Sequence, residues 1–181
     1  QRQMCIRDRS YTTFERALVS AEEENGVIRV RVNVTNTGKY PGKEVMQLYA
    51  QAPQGVLGKA KRVLAAFEKT RLLAPGETQL LMLEAPVEQL ASYDDLGKIK
   101  KSAYVLEKGE YQFFLGTSVR ETEQVFCFAM EEDTVTEQLT AKLVPTSLSE
   151  RMLSDGNFEK LPQSEPNDPN YSAIKRVLRE E

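Results

Sequence analysis

The chain has no histidine and no tryptophan, and its two cysteines stand at Cys5 and Cys127. Each absence removes a class of chemistry. Without an imidazole, Ser-His-Asp triads, Cys-His dyads and the usual zinc centres cannot be assembled from these residues. Two cysteines give no disulfide framework. Cys127 lies between Phe126 and Phe128 and is read as a small buried hydrophobe of the core. No apolar run approaches the roughly 20 residues of a membrane-spanning helix. The 24 basic and 27 acidic residues nearly cancel, with a net charge of -3, so nothing suggests a positive face for nucleic acid or an anionic membrane. What remains is the chemistry of carboxylates, lysines and tyrosines, and no cofactor or metal ligand set is expected.

What is present is a succession of short β-patterned runs. Residues 27–35 alternate, with Ile28, Val30, Val32 and Val34 on one face and Arg29, Arg31, Asn33 and Thr35 on the other, the period of a half-buried strand. Asn36-Thr37-Gly38 and Pro41-Gly42 follow, so residues 44–49 are expected to return as its antiparallel neighbour. Pro75-Gly76-Glu77 introduces residues 78–83 and Lys108-Gly109 introduces residues 110–115 by the same turn-then-strand grammar. Runs at 11–20, 62–70 and 124–130 bring the number to about seven, the pattern of an immunoglobulin-like sandwich over residues 10–132. Its predicted core contains Ile28, Val30, Val32, Val34, Leu48, Phe67 and Tyr111, with Gly38, Gly42, Gly76 and Gly109 where turns need a permissive backbone.

The two ends differ from this middle. Residues 1–9 contain neither the apolar segment of a secretory signal nor a transit-peptide pattern, and Met4-Cys5-Ile6-Arg7-Asp8 resembles the translated adapter of a sequencing library; they are read as adapter-derived or disordered. That reading, with the lack of disulfides, sets the expectation of a bacterial cytoplasmic protein. Residues 133–181 are expected to be an irregular polar tail, with Pro145, Pro162, Pro166 and Pro169 among Ser, Asn and acids. Within it, Ile174, Val177 and Leu178 at helical spacing after Ser172 predict a short helix near 172–179.

The motifs, taken in order, resemble the fibronectin type III-like domain of glycoside hydrolase family three. They are Ser10-Tyr11-Thr12-Thr13-Phe14, Val32-Asn33-Val34-Thr35-Asn36-Thr37-Gly38, Gly42-Lys43-Glu44-Val45-Met46-Gln47-Leu48-Tyr49 and Ala66-Phe67-Glu68-Lys69. Leu73-Ala74-Pro75-Gly76-Glu77, Leu90-Ala91-Ser92-Tyr93-Asp94, Lys108-Gly109-Glu110-Tyr111 and Leu115-Gly116-Thr117-Ser118 continue the series. The resemblance implies a parent of the β-glucosidase type, a retaining exo-acting glycosidase with an Asp nucleophile on a barrel domain and an acid/base carboxylate on an α/β domain. Neither domain is recognised here, and Ser154-Asp155 runs into Gly156 rather than the family's tryptophan, so no catalytic residue is carried over. The resemblance implies a non-catalytic accessory domain that packs against the barrel and α/β domains, with carbohydrate contact only indirect. Lys101-Ser102-Ala103-Tyr104-Val105-Leu106-Glu107, Thr136-Glu137-Gln138-Leu139 and Leu143-Val144-Pro145 resemble the subset in which the sandwich lies between an α/β domain and a following barrel, which makes the chain a fragment.

The candidate functional residues are few. Asp94-Asp95 is the one tempting carboxylate pair, but adjacent residues on an extended chain point to opposite sides and Asp-Asp-Leu-Gly is a turn sequence, so a solvated loop is expected. The acids at 22–24 and 131–133 are read as solvated element ends. Tyr40, Tyr49 and Tyr93 are what a carbohydrate-binding or interaction module, the alternative reading, would use as sugar platforms. The loop from Tyr93 to Tyr104, long for a hairpin, is the candidate domain interface or active-site rim, through Tyr93, Asp94, Asp95, Lys98, Lys100, Lys101 and Tyr104.

Overall fold

The computed structural model describes residues 10–140, 148–153 and 155–161. In chain order the strands are β1 (Phe14–Glu24), β2 (Val27–Asn36), β3 (Val45–Gln51), β4 (Val63–Lys69), β5 (Thr78–Pro86) and β6 (Ser92–Asp94). They continue with β7 (Ala103–Leu106), β8 (Gly109–Ser118), β9 (Glu121–Met130), β10 (Thr134–Gln138), β11 (Glu150–Met152) and β12 (Phe158–Lys160). A single 3-10 turn, Val87–Leu90, is the one helical element among the described residues. The chain divides into two compact units, one drawn from Gln1–Gln54, Gly58–Leu90 and Lys108–Glu132, the other from Gly55–Leu57, Ala91–Glu107 and Asp133–Glu181. The helix expected near 172–179, like residues 1–9, lies outside the described residues.

The first unit holds the seven expected strands as an antiparallel sandwich, with a three-stranded sheet β1-β2-β5 and a four-stranded sheet β4-β3-β8-β9. Alternation decides what each strand buries. Ile28, Val30, Val32 and Val34 of β2 are fully buried, as are Met46 and Leu48 of β3 and Tyr111 and Phe113 of β8. Burial of a side chain of this size contributes about 1.5–3 kcal/mol. Phe113 and Tyr111 face Phe126 and Phe128 of β9, and the Tyr111–Phe128 ring centroids lie 5.1 Å apart.

Three expectations about this unit are corrected. Phe67 is 66% exposed, because its partner across the β3–β4 ladder is Gln47, on the face of β3 opposite buried Met46 and Leu48. Cys127 is exposed for the same reason of parity: the residue between two inward rings points outward in a strand, and it pairs with Gln112. Finally, β2 and β3 are not neighbours, since β2 pairs with β1 and β5 while β3 pairs with β4 and β8.

Asn36 explains the last of these. Its buried side chain donates to the carbonyls of Tyr40 (2.8 Å) and Leu73 (2.9 Å) and accepts from Thr12 Oγ1 (2.6 Å) and the Gly38 N–H (3.0 Å). All four of its hydrogen-bonding positions are used, which fastens three chain segments together and carries the chain away from β2 instead of folding it back. Gly38 is needed here for space rather than for a left-handed backbone: a Cβ would lie 2.0 Å from Thr12 Oγ1 and 2.6 Å from the Thr13 nitrogen.

The second unit forms where the sequence was read as one long loop and an irregular tail. β6 and β7 pair through Ser92↔Val105, Tyr93↔Tyr104 and Asp94↔Ala103, which shortens the connection to residues 95–102. β10 adds to the other edge of β7, and β11 and β12 form a hairpin of their own. A small core of Leu57, Ala103 and Val105, with Ile99 packed on it, holds this sheet.

Candidate functional site

The loop between β6 and β7 is wound around one carboxylate. Asp94 is fully buried, and its Oδ1 accepts the N–H groups of Gly97 (2.8 Å) and Lys98 (3.0 Å). Its Oδ2 accepts those of Ile99 (2.7 Å) and Lys100 (2.8 Å), while its backbone oxygen accepts the Ser102 N–H (2.8 Å). Burial by itself pushes the Asp94 carboxyl up, but the backbone donors of Ile99, Lys98, Lys100 and Gly97 outweigh it and hold the group below the usual aspartate range. This corrects the expectation of a solvated turn. Gly97, with φ of 75°, and Ser102, with φ of 59°, supply the left-handed backbone that lets so short a loop close.

Asp95 points elsewhere, as adjacency requires, and pairs with Arg151 Nη1 at 2.7 Å. Arg151 also contacts Glu159 (3.0 Å), whose other carboxylate oxygen meets Lys98 Nζ at 2.6 Å. Lys98, then Arg151, hold Glu159 below the usual glutamate range. The four charges thus join the loop to the β11–β12 hairpin. Arg151 and Glu159 were missed in the sequence, where Asp155-Gly156-Asn157 between two short polar runs was the available hairpin signal. Glu107 was missed as well: it is 3% exposed and its Oε1 accepts the Val56 N–H at 2.6 Å.

Tyr93 and Tyr104 face each other across the β6–β7 ladder, ring centroids 5.4 Å apart, and both stay more than a third exposed. Lys100 and Lys101 are exposed and, with Ile99, Ser102 and Gln138, border an open groove of about 540 Å³. The loop therefore brings all seven predicted residues into one place, but in distinct roles: Asp94 organises the backbone, Asp95 and Lys98 tie it to the hairpin, and Tyr93, Tyr104, Lys100 and Lys101 are presented outward.

A retaining glycosidase requires two carboxylates about 5 to 5.5 Å apart, one acting as nucleophile and one kept protonated as an acid. Asp94 is inaccessible, with both oxygens occupied and its proton affinity lowered, and Asp95 is engaged in the ion pair with Arg151. Tyr40 sits in the loop after β2 and Tyr49 in β3, where its hydroxyl donates to Gln47, while Tyr93 belongs to the other unit, so the three do not form a row on one strand or sheet. Among the described residues no group of three or more acids or cysteines is placed to hold a metal ion, and no helix is long and apolar enough to cross a membrane.

Residues 44–119 match the family model described as the fibronectin type III-like domain. The chain is 52% identical to the β-glucosidase A of Butyrivibrio fibrisolvens over 91% of its own length and 22% of that protein's. It is 43% identical to a β-glucosidase of Ruminococcus albus, over 80% of this chain and 15% of that one. In structure it is similar to a β-glucosidase from Paenibacillus barengoltzii, with a TM-score of 0.78 and 44% identity over 87% of this chain and 19% of that chain. The sandwich is a fibronectin type III-like domain. The chain matches β-glucosidases over a small part of their length, consistent with an accessory domain of a glycoside hydrolase family three enzyme. It spans about a fifth of the length of the Butyrivibrio and Paenibacillus relatives.

Proposed function

We propose that this chain serves a retaining, exo-acting β-glycosidase of the β-glucosidase type, packing against its barrel and α/β domains and contributing no catalytic group. One observation carries the reading: the relatives are β-glucosidases matched over 22% or less of their length, and the Asp94-Asp95 pair within the matched part is tied up by backbone N–H groups and an arginine. The 95–102 loop supports a role at a domain interface or active-site rim. Its backbone is held by Asp94, so the Tyr93–Tyr104 pair and Lys100 project from a fixed base, and pre-organised groups of this kind cost little entropy when they meet a neighbour.

The test is a transplant. Replacing the matched part of the Butyrivibrio fibrisolvens β-glucosidase A by this chain should give a folded enzyme that still hydrolyses aryl β-glucosides, while deleting that part should give one that unfolds at lower temperature. A transplant that neither folds nor turns over substrate contradicts the proposal. Charge reversal at Lys100 in the transplant separates the two roles of the loop: a rim residue changes KM at constant stability, an interface residue changes stability first.

A further inference from the structure

We infer that the outward face of the four-stranded sheet, centred on β4, is the surface on which a neighbouring domain of the parent enzyme docks. The inference rests on the accessory-domain reading and adds to it the face and the residues. β4 opens with five apolar residues, Val63-Leu64-Ala65-Ala66-Phe67, before Glu68 and Lys69, and it is the edge strand of its sheet. Edge strands in free-standing domains are blunted by charge, proline or a bulge turned away, because their unpaired backbone and apolar side chains invite other chains. β4 does have a register shift facing β3, but Phe67 is 66% exposed and Leu64 51%.

Register places these side chains together. Phe67 lies opposite Gln47 and Leu64 opposite Tyr49, both on the outward face of β3, and Tyr49 in turn faces Phe114 of β8. The guanidinium of Arg62 lies 3.8 Å from the centre of the Phe114 ring and donates to Thr122 Oγ1 (2.8 Å), which covers that ring but leaves Leu64 and Phe67 open. On β8, Phe113, Phe114, Leu115 and Gly116 are buried in succession across a register shift between Phe113 and Phe114, with Phe114 lying under Arg62. The occupant is an apolar face of the adjoining catalytic domain, since more than three quarters of each β-glucosidase relative lies outside the matched part and the exposed side chains at the centre of the patch, Leu64 and Phe67, are apolar.

The experiment compares one substitution in two settings. Phe67→Lys should leave the melting temperature of the isolated chain within about 2 °C, yet shorten the half-life of the Butyrivibrio β-glucosidase A transplant at elevated temperature by about tenfold or more. Equal and small effects in both settings overturn the proposal. So does a concentration-dependent dimer of the isolated chain in sedimentation that Phe67→Lys abolishes, because the occupant is then a second copy. An unsubstituted transplant that fails to fold overturns instead the accessory-domain reading, and is recognised by occurring without any change at Phe67.

Discussion

β2 and β4 each carry five apolar side chains, and the two strands treat them in opposite ways. β2 spaces four of them at every second position, beside arginine, asparagine and threonine, and all four are fully buried. β4 places its five in succession, and none is fully buried. Apolar content is thus a poor guide to the core of this domain, whereas period and cross-strand register are good ones. A run that ignores the period of two either fills both faces of a covered sheet or waits for a cover.

The comparison is broken most directly at Phe113 and Phe67, two rings on opposite faces of one sheet. Phe113→Ala, deep between the sheets, should cost about 3–5 kcal/mol in urea unfolding monitored by circular dichroism. A cost below about 1 kcal/mol would mean that the sandwich is not closed around that ring.

Next in size is the loop of the second unit. Asp94→Ala removes the shared acceptor of four backbone N–H groups, and about 1.5–3 kcal/mol of local stability is expected to go with it. Amide exchange at Gly97, Lys98, Ile99 and Lys100 should then rise together. The same site sets a pH dependence. The folded carboxyl is held below its unfolded value, near 3.9, so the stabilisation is fully present above that value and is lost as pH falls through the lower folded one. Protection of those four amides should therefore persist at neutral pH and collapse in acid. Protection that instead grows on acidification would reverse the assigned sign.

The smallest effect is expected at the exposed ring. Phe67→Ala in the isolated chain should shift stability by no more than about 0.5 kcal/mol, read in the same urea titration as Phe113→Ala. A loss comparable to that of Phe113 would place Phe67 in the core after all.

Legibility in the sequence follows the same physics. All seven strands of the sandwich and six of the seven named core residues could be read, because alternation and Gly-Pro turns are local signals that leave a trace in neighbouring residues. The pairing of β2 could not, since it depends on Asn36 meeting Tyr40, Leu73 and Thr12, contacts separated by up to 37 positions. Phe67 and Cys127 were misplaced because composition was weighed over parity. The 93–104 loop stood out in the sequence for its length and its lysines, but the burial of Asp94 was not legible: a carboxylate that collects four N–H groups looks, in sequence, like any aspartate of a turn. Arg151 and Glu159 escaped because short polar strands resemble linker.

In the proposed function the sandwich supports catalysis without performing it. Hydrolysis of an aryl β-glucoside by the purified chain, followed at neutral pH against a buffer blank, tests this directly. No turnover above the blank is expected, because Asp94 is sealed and Asp95 is paired. Turnover that disappears with Asp94→Asn or Asp95→Asn would contradict it.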